Sequence, residues 1–379
     1  MDKLHAYFTD HLEEITADIL SLVSVETYSR DRAGLDDGLT KIREILADRL
    51  APGYQLEEHP QPELGSHLVV RVPGDQPGKV LLVGHYDTVW PRGTLSEWGE
   101  AVQQDGLKLT GPGIFDMKTG LVQAIWVIRG LQANNIAHPP ITLVINGDEE
   151  IGSLTSRPII EEEARTSTAA FVFEASHEGK VKTARKGVGL VTVTATGVES
   201  HAGLNPQDGA SAITALMQWC LAATQLASEE AGTTINVGLI DGGTGSNVVA
   251  GKATAMLDIR IRTEAEMHRL DKEFDLITWS DPRVKMDVRK EWNRPPMEFT
   301  PASQQLYALV ARTATEMGRE IDHVSVGGAS DANYIAPLGI PVVCGIGANG
   351  AGAHARHEFV YPAEIPFFTA LVANSVAQL

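Results

Sequence analysis

Cysteine is nearly absent from this sequence. Cys220 and Cys344 are its only two, too far apart to make a metal-binding or redox motif. Both sit in apolar stretches, which predicts buried free thiols. Positive charge is scarce as well: 31 Lys and Arg stand against 49 Asp and Glu, for a net charge of −18. A nucleic-acid or anionic-membrane surface needs a basic patch, so this balance argues against both partners. No apolar run reaches membrane-spanning length, and the N-terminal "MDKLHAYFTDHLEEI" has no apolar core of signal-peptide length. The expected location is the cytoplasm. A phosphate cradle is also missing. "DGGTGSN" (241–247) lacks the Lys-Ser/Thr of a P-loop, and Gly111-x-Gly113 has no third glycine. "GHYDTV", which follows an early strand-like run, is no cradle either, so a nucleotide-dependent oxidoreductase is not supported.

A chain of 379 residues fits two domains better than one core. In the first half, short β-branched runs alternate with helical sequence. "SHLVVRV" (66–72), "KVLLVGH" (79–85), "ITLVING" (141–147) and "AAFVFEA" (169–175) read as strands, and about 118–134 reads as a helix. This is the rhythm of an α/β sheet with helices on its faces, in which functional groups gather past the carboxyl ends of strands. The middle, about 186–292, reads as four strands and two helices, a small two-layer α/β insert. Pro295-Pro296 marks the return to the first domain, which closes with helices near 301–317 and 362–378 and strands at 321–326 and "PVVCGIG". The expected domains are therefore 1–185 and 293–379, with 186–292 inserted.

Five short motifs share one chemical theme. "GHYDTV" carries His85 and Asp87, "GPGIFDMK" carries Asp116, "GDEE" carries Asp148, Glu149 and Glu150, "FEAS" carries Glu174, and "GAHARHEFV" carries His354 and His357. A lone His-x-Asp is ordinary surface chemistry. Together, however, the motifs put acids and histidines at strand ends of one sheet. So many carboxylates in one cleft repel in a low dielectric, and several would protonate unless cations were present. Two Zn²⁺ bring four positive charges; Asp116, Glu150, Glu174 and a hydroxide balance them, with His85 and His354 as neutral imidazoles. Mixed imidazole and carboxylate donors suit zinc. On this reading all three acids of "GDEE" belong to a metal site.

In combination the motifs resemble the glutamate carboxypeptidase and aminoacylase family of co-catalytic di-zinc peptidases, over nearly the whole chain. The resemblance implies a zinc-peptidase α/β/α catalytic domain with an inserted two-layer α/β dimerisation domain. It also implies two Zn²⁺ per subunit, with Co²⁺ or Mn²⁺ as substitutes. Asp116 would bridge the metals, with His85 and Glu174 on one and Glu150 and His354 on the other. His354, rather than His357, has the family's spacing to Glu358. Asp87 would orient His85, and Glu149 would be the general base. "GVESHAGLNPQDG" places His201 where family members carry a histidine that serves the opposite subunit's site. Asn247, Arg260, Arg294 and Gly328 of the Gly327-Gly328 turn match positions that hold the substrate carboxylate. A solvent-facing Arg260 and a His201 that only caps its loop are the plain alternatives.

The implied activity is hydrolysis of an amide bond next to a free α-carboxylate. "HYDTVWPRGTL" resembles the carboxypeptidase branch, so C-terminal Glu or a related amino acid, from peptides or N-acyl amino acids, is the expected leaving group. The alternative is an N-acyl-amino-acid deacylase or a dipeptidase with the same machinery. An aminopeptidase is disfavoured, because it needs an acid for the substrate ammonium where arginines stand here. A catalytically dead scaffold on this fold has no chemical need for both Glu149 and His201. The resemblance implies a homodimer through the insert.

Overall fold

The structure is a computed structural model that describes residues 3–99 and 106–379. It divides into two compact units, one of Met1–Ala184, Phe299–Val326 and Ser330–Leu379, the other of Arg185–Glu298 and Gly327–Ala329.

The first unit is built on an eight-stranded mixed sheet. Its order is Gln55–His59, His67–Val72, Ile141–Asn146, Val80–His85, Ala169–Val172, Val342–Cys344, Val181–Arg185 and His323–Val326. Four central neighbours, from Ile141–Asn146 to Val342–Cys344, run parallel. Parallel strands bury both faces, which is why these read as continuous apolar runs. Leu68, Val70, Leu82, Leu143 and Phe171 join one core with helices Thr119–Ala133 and Ile365–Val376. The intervening Val69, Leu81, Val83 and Val144 are buried too, on the side covered by helix Arg157–Arg165. Truncating Phe171 to Ala would cost about 3–5 kcal/mol through lost burial and the cavity left behind. Three helices, Lys3–Asp10, Leu12–Val23 and Arg32–Arg49, precede the sheet. Cys344 is fully buried and Cys220 nearly so, and neither is in a disulfide.

A small three-stranded sheet matters more for function than its size suggests. The hairpin Gly350–Ala351 and Phe359–Val360 pairs with Leu109–Thr110. This sets the loop bearing His354 beside the strand that leads into the Asp116 turn.

The second unit is a four-stranded sheet, ordered Lys285–Arg294, Gly187–Thr196, Lys252–Ile261 and Thr234–Gly242, with every neighbour antiparallel. Strict alternation along Lys252–Ile261 turns Ala253, Ala255, Leu257, Ile259 and Ile261 toward helices Ala212–Thr224 and Glu264–Leu276. Trp219 stacks on Phe274 within that core. The opposite face of the sheet carries no helix of this unit. The unit begins at Arg185 and runs to Glu298 because strand Lys285–Arg294 continues past Trp292 and the chain then pairs Met297 with Arg185.

Candidate metal centre

His85 is the last residue of its strand, and Glu149 and Glu174 follow the ends of the two strands that flank it in parallel. The sheet therefore delivers three ionisable side chains to one edge. Asp116 arrives differently. Gly113 adopts φ 72°, and a Cβ there would lie 2.4 Å from the Thr88 methyl, so only glycine fits. The backbone then passes through an extended Asp116, with a cis peptide to Met117, before helix Thr119–Ala133 begins. Glycine also lets that helix approach closely, since a Cβ on Gly120 would sit 1.9 Å from the Phe173 carbonyl.

Two trios of ligand-type atoms result, each gathered within 4.8 Å: His85, Asp116 and Glu174, and Asp116, Glu150 and His354. Asp116 belongs to both. Its Oδ1 lies 3.4 Å from His85 Nε2 and its Oδ2 lies 3.4 Å from His354 Nε2. Glu150 Oε2 approaches His354 Nε2 to 3.1 Å, and Glu174 Oε1 approaches His85 Nε2 to 3.8 Å. Glu149 joins neither trio but stands 3.8 Å from His85 Nε2. His357 is exposed and also joins neither. His354 has a left-handed backbone, φ 61°, an uncommon conformation for a non-glycine residue.

The residues fit a bound cation. His85 Nδ1 donates to the Asp87 carbonyl at 3.0 Å, which leaves Nε2 as the free ring nitrogen. Nε2 is buried, makes no hydrogen bond among the described residues, and faces three carboxylates. A lone pair among carboxylates is favourable only around positive charge. Without a metal, protons supply it. Burial pushes the His85 imidazole down, but Asp116 and Asp87 outweigh it and raise the group well above its ordinary range. Asp116 and Glu150 lift His354 to about 11 against its partial burial. Burial raises Asp116 less than its two histidines lower it, so it stays ionised. Burial, with help from Asp116 and Glu149, pushes Glu150 up to about 8 although His354 opposes this. Two imidazoles with three carboxylates are a zinc-type donor set, open to cobalt or manganese.

One expectation needs correction. Asp148 is not a metal-site acid. Its buried carboxylate accepts from the Thr155 amide (2.7 Å) and hydroxyl (2.9 Å) and from the Ser156 amide (3.3 Å) and hydroxyl (2.5 Å), folding the following loop. Side-chain capping of this kind is what Asp does at turns. Asp87 holds His85 through its carbonyl, while its carboxylate, 3.4 Å from Nδ1, accepts from Ser29 Oγ (2.7 Å) and the Glu149 and Glu150 amides (3.1 Å each). It thereby positions the acids as well as the imidazole. The role of Glu358 was not legible beyond its spacing: it is fully buried and accepts from three amides of the Asp116 turn.

The remaining site candidates lie in the second unit. His201 is exposed, and its Nδ1 accepts from the Gly203 and Leu204 amides at 3.1 and 3.2 Å. The neutral ring therefore carries its proton on Nε2. The Ala202 amide donates to the Asn247 carbonyl at 2.9 Å, joining these two segments. Arg260 and Arg294 both pair with Val188, from either side, on the helix-free face. Arg260 is half-buried and grips Asp258 through two bonds of 2.8 and 2.9 Å. Arg294 is buried, and the Gly328 carbonyl accepts from Arg185 at 3.0 Å.

Residues 81–378 match the model of peptidase family M20/M25/M40. The chain belongs to this family. M20 proteins are metal-dependent peptidases and amidohydrolases, so this M20 chain is a hydrolase. It is 27% identical to carboxypeptidase G2 of Pseudomonas sp. (strain RS-16), over 98% of this chain and 90% of that protein. It is 26% identical to a succinyl-diaminopimelate desuccinylase of Nitrosospira multiformis, over 90% and 93%. Among solved structures, an aminopeptidase PepT from Bacillus cereus has a TM-score of 0.83 at 22% identity, covering 97% of this chain and 98% of that one. An M20 family metallo-carboxypeptidase from Sulfolobus solfataricus has a TM-score of 0.74 at 17% identity, covering 97% and 99%. The two structural likenesses establish the fold of this M20 chain.

Proposed function

We propose that this M20 chain is a di-zinc hydrolase that cleaves an amide bond next to a free α-carboxylate, most simply as a carboxypeptidase releasing Glu or a related residue. The observation that carries the reading is Asp116, one carboxylate shared by two trios with one oxygen toward each histidine. His85, Asp116 and Glu174 would hold one ion, and Asp116, Glu150 and His354 the other. Bound zinc would supply Lewis-acid polarisation of the scissile carbonyl and acidify water. Glu149, close to His85 but outside both trios, takes the proton of the attacking water and returns it to the leaving amine. His201, whose Nδ1 accepts two amide bonds and leaves Nε2–H as the donor, donates to the developing oxyanion. Arg260 and Arg294, with Asn247 and Gly328, receive the substrate carboxylate; a guanidinium suits a planar carboxylate, and Arg260 must exchange Asp258 for it.

The insert supports a homodimer. Thr234–Gly242 is an edge strand with Leu239 64% and Ile240 59% exposed, and the adjacent helix Ala212–Thr224 exposes Met217 and Leu221. An apolar edge strand of this kind is a pairing surface. The cytoplasm is the location that fits a cysteine-poor chain.

The likeness to a desuccinylase favours a second reading, an N-acyl-amino-acid deacylase with the same machinery. The experiment is a screen for liberated amine across N-acyl amino acids and dipeptides, each with its C-terminally amidated analogue, with Zn²⁺, Co²⁺ or Mn²⁺ added. Release from free carboxylates alone supports the proposal, and the acyl group accepted decides between the two readings. Equal release from amidated analogues would refute a carboxylate-directed hydrolase.

A further inference from the structure

A fully buried carboxylate normally answers to a cation. Glu358 makes no ion pair among the described residues, yet it is completely enclosed. Four N–H groups converge on it instead, two per oxygen. Phe115 and Asp116 donate their amides to Oε1 at 2.8 and 3.0 Å, and the Gly113 amide and Trp90 Nε1 donate to Oε2 at 3.1 Å each. Four donors match the roughly four lone-pair sites that a carboxylate offers.

The donors come from segments that carry the metal-site residues. The three amides form the turn that ends in Asp116, one of them the amide of Asp116 itself. The indole closes the run that starts at His85. Glu358 follows His354 by four residues, across two tight turns closed by Ala355 N to Gly352 O at 2.8 Å and Glu358 N to Ala355 O at 3.0 Å. One side chain thus links the segments bearing His85, Asp116 and His354.

We propose that Glu358 is a positioning residue for the metal centre, holding the Asp116 turn and the His85 segment in register with the His354 loop so that Asp116 faces both histidines. The inference rests on the di-metal reading above. Glu358 bonds backbone amides and an indole rather than the ligand atoms, so its effect is on the geometry of others. Groups that orient ligands typically matter about 10- to 100-fold in metal affinity.

Glu358→Gln is the sharpest probe. It keeps the volume but replaces one oxygen with NH₂, and whichever way the amide turns, that NH₂ meets two N–H donors. Zn²⁺ affinity and stoichiometry are measured by competition with a chromogenic chelator, Co²⁺ spectra report coordination, and the Tm of the metal-free protein is recorded alongside. The expected result is two ions in the wild type, a 10- to 100-fold loss of affinity in Glu358→Gln with an altered Co²⁺ spectrum, and a metal-free Tm within a few degrees of wild type. Wild-type affinity and spectrum in Glu358→Gln overturn the proposal. If that variant does not fold, Trp90→Phe decides: it removes one donor of four, and a loss of roughly threefold or more at unchanged Tm supports the role, whereas unchanged affinity overturns it. A wild-type protein that takes up no metal would instead sink the di-metal reading itself.

Discussion

The metal centre and the insert hold most of their candidate residues in different ways, with exposed His354 and buried Arg294 as the exceptions. In the first unit His85, Asp87, Glu149 and Glu174 are buried, and Asp87 and Glu358 are each saturated with donors. In the insert His201 and Asn247 are exposed, and Arg260 is occupied by its neighbour Asp258. Burial with full hydrogen bonding fixes geometry before any ligand arrives, which is what a site for small, demanding cations needs. Exposed donors on a loop gain their role only when a substrate or a second subunit covers them. The difference teaches that one region is organised by its own fold, while the role proposed for the other depends on what covers it.

The comparison breaks most visibly at Glu149. Glu149→Ala should keep both metals and lose roughly 10²–10⁴-fold in kcat, because proton transfer is lost while the two trios stay intact. Metal content and kcat on one preparation check this; loss of metal together with activity would make Glu149 a ligand.

His201→Ala should lose roughly 10²–10³-fold in kcat with metal affinity unchanged, since it removes one oxyanion donor. If His201 serves the opposite subunit, mixing His201→Ala with Glu149→Ala under subunit exchange should restore about a quarter of wild-type activity, because half the dimers gain one complete site. Confirmed exchange without recovered activity would put His201 outside its partner's chemistry.

Metal binding should release protons at pH 7. His85 and His354, raised above neutrality by their carboxylates, must lose a proton to ligate, and Glu150, raised to about 8, must ionise. Apparent Zn²⁺ affinity should therefore rise with pH through 8, by about tenfold per pH unit for each proton displaced. Calorimetry in buffers of different ionisation enthalpy measures the count; a pH-independent affinity would contradict it.

The smallest effect should come from a charge cluster remote from metal binding. Glu163 receives Lys79 at 2.5 Å and also pairs with Arg71; despite burial, these cations hold its carboxyl below the ordinary range. A depressed acid stabilises the fold above its unfolded pKa, near 4.5, and that contribution disappears as pH falls through the folded value. Glu163→Gln should thus cost about 1 kcal/mol at pH 7 and progressively less below pH 4.5, read by denaturation at both pH values. An equal loss at both would mean lost packing rather than lost charge.

Much was legible in the residues themselves. Continuous apolar runs marked the parallel strands, strand-like runs marked the insert's sheet, and motif chemistry offered His85, Asp116, Glu150, Glu174 and His354 as candidate ligands. Local pattern encodes these because burial on one or two faces leaves a periodic trace. Asp148 misled for the opposite reason. It sits in an acidic triplet, and only the positions of Thr155 and Ser156 show that its charge is spent on hydrogen bonds.

The sequence by itself determined the strands, the two-layer insert and the types of donor available for metal. Tertiary structure alone decided which donors meet. Asp116 comes between two histidines because a turn at 113–116 and a hairpin at 350–360 are brought side by side, and Glu358 reaches that turn from 242 residues away. Periodicity records which face of an element is buried, but not which distant backbone amides a buried carboxylate will find there. That information exists only once the chain is closed in three dimensions.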